Sequence, residues 1–87
     1  MKPNVLIINE KDNVAVALTD IGSGETVVLP DEREIAALND IPFSHKVALK
    51  DFSRDSDIIK YGEVIGQARE DIKQGDWVHA HNLLVQD

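Results

Sequence analysis

The chain has 87 residues, no cysteine and a formal net charge of −7, and 43% of its residues are apolar. This length predicts one domain, residues 1–87, with a modest core, and the excess of acids argues against a nucleic-acid partner, which needs clustered Lys and Arg. Without Cys there is neither a disulfide framework nor a thiolate site, which fits a reducing cytoplasm. No apolar run approaches the length of a membrane span, and the N-terminal run is too short for a signal peptide, so a cytoplasmic domain without a membrane partner is expected.

Short Val- and Ile-rich segments separated by turn residues predict a mainly β fold. The predicted strands are Asn4–Ile8, Val14–Leu18, Thr26–Leu29, Val47–Leu49, Val64–Ala68 and Trp77–Leu83. One short helix is predicted from Asp31 to Asn39, because Pro30 and the acids after it are typical of a helix start and an apolar side follows.

Two features predict how the strands of the second half are connected. The sequence Lys60-Tyr61-Gly62-Glu63 is typical of a tight turn. Gly66, inside a strand pattern, indicates a bulge or a close approach of another backbone segment.

An internal repeat begins at an alanine three residues before an Asp-hydrophobe pair. The copies begin at Ala17, Ala48 and Ala68, and the middle one is the weakest. Each predicts a strand that ends at the Asp-hydrophobe pair, then a turn with one residue in the left-handed conformation, then a new strand. Gly24, Asp55 and Gly75 occupy that turn position, and Asp tolerates the conformation better than most residues, so their first interpretation is turn geometry.

All three histidines lie in two short segments. Strand alternation predicts that His79 and His81 lie on one face, with Asn82 beside them. His45 and Lys46 follow a turn bounded by Pro42 and directly precede an apolar strand. A convergence of imidazoles is rarely only packing, so these segments are the candidate site.

The order and content of four segments resemble the N-terminal domain of the altronate and galactarate dehydratase family over nearly the whole chain. These segments are 12–18, 41–49 (Ile-Pro-Phe-Ser-His-Lys-Val-Ala-Leu), 59–66 (Ile-Lys-Tyr-Gly-Glu-Val-Ile-Gly) and 77–82 (Trp-Val-His-Ala-His-Asn). The resemblance implies the SAF fold, a β-clip of short, bent strands, and in some members the domain is a separate small subunit. Ser44 replaces the Gly that usually precedes the His-Lys pair of the family, so a slightly different turn is expected there.

The resemblance also implies a lyase reaction in which a proton leaves the carbon beside a carboxylate and a hydroxyl or sulfonate leaves the neighbouring carbon. Imidazole suits it, since it exchanges protons near neutral pH and ligates metals. We therefore predict His45, His79 and His81 as catalytic residues, with His79 and His81 also the predicted ligands of a divalent metal, iron(II) by resemblance. Lys46 and Asn82 are predicted to bind substrate; the alternatives are a solvated lysine and a turn-capping amide.

Three residues near these segments have simpler interpretations. Lys60 and Tyr61 are expected to be ordinary turn residues, and Trp77 to pack in the core or at a subunit interface.

Three functions remain open from the sequence. The first is the small subunit of a sugar-acid dehydratase that makes a 2-keto-3-deoxy acid and works with a large subunit. The second is the small subunit of another lyase of the family, such as sulfolactate sulfo-lyase. The third is a non-catalytic SAF module that binds a sugar acid or a protein. The chain alone is expected to be inactive, and a homo-oligomer is possible.

Overall fold

A computed structural model describes residues 2–85, which form nine short strands. In chain order they are β1 (Val5–Leu6), β2 (Val14–Ala17), β3 (Thr26–Val28), β4 (Glu34–Ala36), β5 (Lys46–Ala48), β6 (Asp57–Lys60), β7 (Glu63–Ala68), β8 (Trp77–Val78) and β9 (Leu83–Val85). The mainly β prediction is confirmed. Residues 2–85 contain no helix of the length and apolarity needed to cross a membrane.

The strands form three antiparallel sheets, of which the four-stranded sheet β1-β2-β5-β8 is central. Because side chains alternate across a strand, β2 and β5 supply both of its faces. Ala15 and Val47 pack in one core cluster with residues of β3, whereas Val14 and Ala48 pack in a second cluster with residues of β6, β7 and β9. The central sheet therefore separates two small cores, one beneath the β3-β4 hairpin and one beneath the β6-β7-β9 sheet.

The predicted helix at Asp31–Asn39 is wrong: its middle is the strand β4, which pairs with β3. The same segment contains a fourth copy of the repeat, which the sequence analysis missed. It begins at Ala37 and has Asp40-Ile41 as its Asp-hydrophobe pair and Ser44 at the left-handed turn position. The local helix-start signals were overridden because this copy pairs with the first one.

In chain order the four repeat units begin at Ala17, Ala37, Ala48 and Ala68. They pair reciprocally, the unit at Ala17 with that at Ala37 and the unit at Ala48 with that at Ala68. Hydrophobic residues of paired units form isolated bridges, Ile21 with Ile41 and Phe52 with Ile72. In each unit the amide of the left-handed residue donates to the carbonyl oxygen of the partner's first alanine. These bonds run from Gly24 to Ala37, Ser44 to Ala17, Asp55 to Ala68 and Gly75 to Ala48, at 2.7–2.9 Å.

The aspartates of the repeat cap the partner's turn. Asp20 Oδ1 accepts from the amide of Phe43 and Asp40 Oδ1 accepts from the amide of Ser23, both at 2.8 Å. Asp51 and Asp71 do the same in the second pair, at 2.9 and 3.0 Å. A turn amide beside a left-handed residue has no strand partner, so the carboxylate satisfies a donor that would otherwise be left to solvent.

The predicted turn and the prediction for Gly66 are both confirmed. Tyr61 and Gly62 have φ of 60° and 72° and connect β6 to β7 as a two-residue hairpin loop. The register of this hairpin shifts between Ile58, which pairs with Gly66, and Ile59, which pairs with Val64, so a bulge lies at Ile65, next to Gly66 in β7. A Cβ at Gly66 would collide with the carbonyl oxygen of Leu84 on β9, so only glycine fits.

The predicted strand Trp77–Leu83 is two strands, β8 and β9, separated by a turn. Strands β4 and β6 were not predicted. The other predicted strands are present, with each end within two residues of its predicted position.

Candidate functional site

All three histidines gather around Trp77. The ring centroid of His79 lies 5.1 Å from that of Trp77 and 4.7 Å from that of His45, and both pairs are stacked. The His81 ring lies 5.1 Å from Trp77, tilted by 39°. The predicted approach of His45 to the other pair is therefore confirmed for His79, and the tryptophan is the centre of the arrangement.

The central sheet sets this geometry. Strand β5 pairs with β8 so that Val47 lies opposite Trp77, which places His45, two residues before Val47, beside the indole. His79 and His81 follow β8 in the turn that leads to β9, where the amides of Asn82 and Leu83 donate to the carbonyl of His79. Strand alternation was therefore the wrong reason for grouping these two histidines: the turn, together with ring contacts to Trp77, brings them together.

Asn82 is buried and holds the turn in shape. Its Oδ1 accepts from the amide of His79 and its Nδ2 donates to the carbonyl of Trp77, both at 2.9 Å. These bonds fix the backbone on which the two exposed histidines are carried. Asn82 thus makes the contacts expected of a turn-capping amide. The contact of Asn82 with substrate stays a prediction.

One hydrogen bond joins the rings of the site. The indole Nε1–H of Trp77 donates to Nδ1 of His45, with the two nitrogens 3.1 Å apart. His45 is half-buried, so this bond is partly shielded from water. Trp77 therefore contacts the histidines by stacking and by a directional bond, a role that the sequence analysis did not assign to it.

The charged neighbours that shift the pKa values of Lys46 and His79 are all basic. Half-burial lowers the pKa of Lys46, and the nearby Lys60 ammonium lowers it further. The pKa of His79 is lowered, first because the packed rings displace water from it and then by the charges of His45, Lys46 and His81. In a chain with net charge −7, this basic cluster (His45, Lys46, Lys60, His79 and His81) is suited to an anion.

Lys60 was expected to be an ordinary turn residue. Its ammonium lies 4.8 Å from the ring centroid of Tyr61, in the range of a cation–π contact, and it also acts on Lys46. No spacing rule connects residues 46 and 60, because they come together only through the packing of β6 near the central sheet.

The residues of this region do not fit a self-contained metal centre. Within residues 2–85, no group of three or more His, Cys, Asp or Glu side chains is arranged to hold a metal ion. Rings that stack face to face do not direct their nitrogens at one point between them, and a protein metal site needs three or four such donors. Any metal at His79 and His81 would need further ligands from outside residues 2–85.

Comparison with known proteins agrees with the fold and the motifs. Residues 3–86 match the family model described as the altronate/galactarate dehydratase SAF domain. The chain belongs to this family.

Several curated relatives are enzymes. The chain is 45% identical over 75 residues to altronate dehydratase of Escherichia coli K12, and 41% identical over 78 residues to galactarate dehydratase (L-threo-forming) of the same organism. These matches cover 86% and 90% of this chain but 15% and 14% of the enzymes, so the chain spans about one-seventh of their length.

A relative of different size is (2R)-sulfolactate sulfo-lyase subunit alpha of Paracoccus pantotrophus. It is 46% identical over 48 residues, which are 55% of this chain and 72% of that subunit. Family members therefore occur both as part of a long enzyme and as a separate subunit.

Proposed function

We propose that the chain is the small subunit of a two-subunit sugar-acid dehydratase of the altronate dehydratase type, acting in the cytoplasm. It would help eliminate water from a 2,3-dihydroxy acid to give a 2-keto-3-deoxy acid. The observation that carries this proposal is the convergence of all three histidines on Trp77, next to two lysines, on an otherwise acidic chain. The family relatives that are dehydratases support the reaction class.

In this proposal, the basic cluster binds the carboxylate of the substrate and accepts its α-proton. Lys46 is half-buried, and the charge that acts on it is another ammonium, so a substrate carboxylate would relieve this repulsion. His79 is exposed and its lowered pKa keeps it neutral near pH 7, which leaves it able to accept the α-proton. The side-chain amide of Asn82 already bonds to the backbone of the turn. Its proposed contact with substrate is therefore at the edge of the cluster.

The departing hydroxyl must be protonated or strongly hydrogen-bonded, because hydroxide is a poor leaving group. His45 stacks on His79, and His81 packs against the indole of Trp77 on which His79 also stacks, so His45 and His81 are the proposed donors to that oxygen. One cluster therefore offers a base for the α-proton and N–H donors for the departing oxygen, as a dehydration requires.

A large subunit is required in this proposal. His79 and His81 are exposed, so this chain offers one wall of a cleft rather than an enclosed site. A divalent metal, expected to be iron(II) from the family resemblance, would take most of its ligands from the large subunit, with His79 and His81 the predicted contributors from this chain. The proton-transfer and hydrogen-bonding roles proposed for residues of this chain do not depend on it.

The second candidate is the small subunit of a sulfolactate sulfo-lyase. The observation in its favour is size, because the chain covers 72% of the Paracoccus pantotrophus alpha subunit. The same cluster would serve it, since sulfolactate also carries a carboxylate and loses a group from the neighbouring carbon.

The test is to reconstitute the chain with a candidate large subunit and ferrous iron, and to assay altronate, galactarate and sulfolactate for 2-keto acid or sulfite. We expect keto-acid release only from the complete mixture. Sulfite release would favour the second candidate. Lys46→Ala should raise KM for the acid, whereas the matched variant Lys11→Ala, an exposed lysine outside the cluster, should not. Unchanged turnover in His79→Ala and His81→Ala complexes would favour a non-catalytic binding module.

A further inference from the structure

The hydrogen bond between Trp77 and His45 has a fixed direction. An indole nitrogen carries a hydrogen and has no lone pair to offer, so it is a donor only. Nδ1 of His45, 3.1 Å away, must therefore be the acceptor and must carry no proton. In a neutral imidazole one nitrogen holds the proton and the other the lone pair, so the proton of His45 is on Nε2.

We infer that Trp77 is a positioning residue: its indole N–H locks His45 in the Nε2–H tautomer, which makes His45 a hydrogen-bond donor to substrate rather than a base or a metal ligand. The ring nitrogen left for other contacts is Nε2, and it carries a hydrogen. Accepting a proton or binding a metal needs a lone pair on that atom, and obtaining one would require giving up the bond to Trp77.

His79 differs from His45 in this respect. Among residues 2–85, no hydrogen bond to a ring nitrogen of His79 or His81 is observed, so neither tautomer is imposed on them. The stacked pair His45 and His79 thus combines a fixed donor with a ring whose lone pair is free. This assignment rests on the proposed function for its catalytic meaning, whereas the tautomer itself can be measured without any substrate.

The first experiment is NMR on the 15N-labelled 87-residue chain above pH 7. Long-range 1H–15N spectra distinguish protonated from unprotonated ring nitrogens, and a scalar coupling across the N–H···N bond identifies its two partners. We expect an unprotonated Nδ1 and a protonated Nε2 at His45, with a coupling from Trp77 Nε1 to His45 Nδ1. A protonated Nδ1 at His45, or the absence of that coupling with both signals resolved, would overturn the inference.

The control removes the donor and keeps the ring. Replacement of Trp77 by benzothienylalanine substitutes sulfur for the N–H group and preserves the stacking surface. The coupling should disappear and the Nδ1–H tautomer of His45 should become detectable. His81, which contacts the same indole by its ring without that hydrogen bond, should keep its tautomer populations. If the populations at His45 do not change, the indole is not what fixes them.

The second experiment uses the reconstituted enzyme. The amide of Gln can place an N–H near the position of a histidine Nε2 but cannot take up a proton. His45→Gln should therefore stay within about 10-fold of the parent kcat, whereas His45→Glu, which offers only acceptors, should lose about 100-fold or more. His79→Gln should be as poor as His79→Ala. Equal losses in His45→Gln and His45→Glu would contradict a donor role. If no family substrate is turned over, the proposed function fails while the NMR result still decides the tautomer.

Discussion

Gly75 and Gly24 occupy equivalent turn positions, and comparing alanine variants of the two separates backbone strain from steric collision. Both have left-handed φ, 94° and 85°, and both donate their amide to an alanine of the paired unit. At Gly24 a new Cβ would have no atom within 4 Å. At Gly75 it would collide with the carbonyl oxygen of Ala36 and lie 3.2 Å from the carbonyl carbon, and both atoms belong to the backbone of β4.

The expected costs follow from this difference. Gly24→Ala should lower the free energy of unfolding by about 1 kcal/mol, because alanine is strained in the left-handed conformation. The strain is partly offset, since alanine gives the unfolded chain less conformational freedom than glycine does. Gly75→Ala carries the same strain plus a collision that only a backbone shift can relieve, adding about 1–3 kcal/mol. That shift would also stretch the 3.0 Å bond from the Leu38 amide to the Gly75 carbonyl.

The assay is urea unfolding followed by the fluorescence of the single tryptophan. For a domain of this size a slope of about 1 kcal/mol per molar urea makes the difference between the variants a shift of about 1–3 M in midpoint. Equal midpoints for the two variants would refute the argument, because it would mean that β4 does not approach the turn as described.

Three further outcomes are expected. Ser44→Gly should stabilise the fold by about 0.5–1 kcal/mol in the same assay, because Ser44 has φ of 69° and glycine adopts that conformation without strain. A loss of stability would show that the serine side chain stabilises the fold by more than its strained backbone destabilises it. His79→Ala should slow the reconstituted enzyme about 100-fold or more while leaving the urea midpoint unchanged, since an exposed ring leaves no cavity. The pKa of His79, followed by NMR, should lie below 6.5 and rise in Lys46→Met, because a positive neighbour is removed. As this pKa is depressed by folding, His79 should weaken the fold as pH falls through 6.5, and a stability that rises there would contradict the assignment.

The repeat was the feature of the fold that could best be predicted from the sequence. Its alanine, aspartate and left-handed positions are local signals, and three of the four copies were visible from them. The copy at Ala37 was missed because Pro30 and the acids after it also satisfy the rules for a helix start. Pairing with the first copy decided between the two interpretations, and pairing is a property of the folded chain.

The candidate site was predictable in its members but not in its geometry. The placement of the histidines in two segments marked residues whose rings come together in the structure, yet no periodicity indicates that a turn, rather than a strand, presents His79 and His81. The expectation that Trp77 packs in the core was incomplete: it does pack against the first core cluster, but its indole N–H is directed at His45. The approach of Lys60 to Lys46 depends on two sheets meeting, which local sequence does not encode.

The reciprocal pairing of the repeat units divides the chain into two modules that are contiguous in sequence, residues 17–44 and 48–75. Each can close its own bridge and its own aspartate caps without the other. His45 directly follows the first module, whereas Trp77 and His79 follow the second. The ring cluster therefore forms only when β5 and β8 join the modules, so the contacts of the histidines with Trp77 should be acquired late in folding and lost early in unfolding.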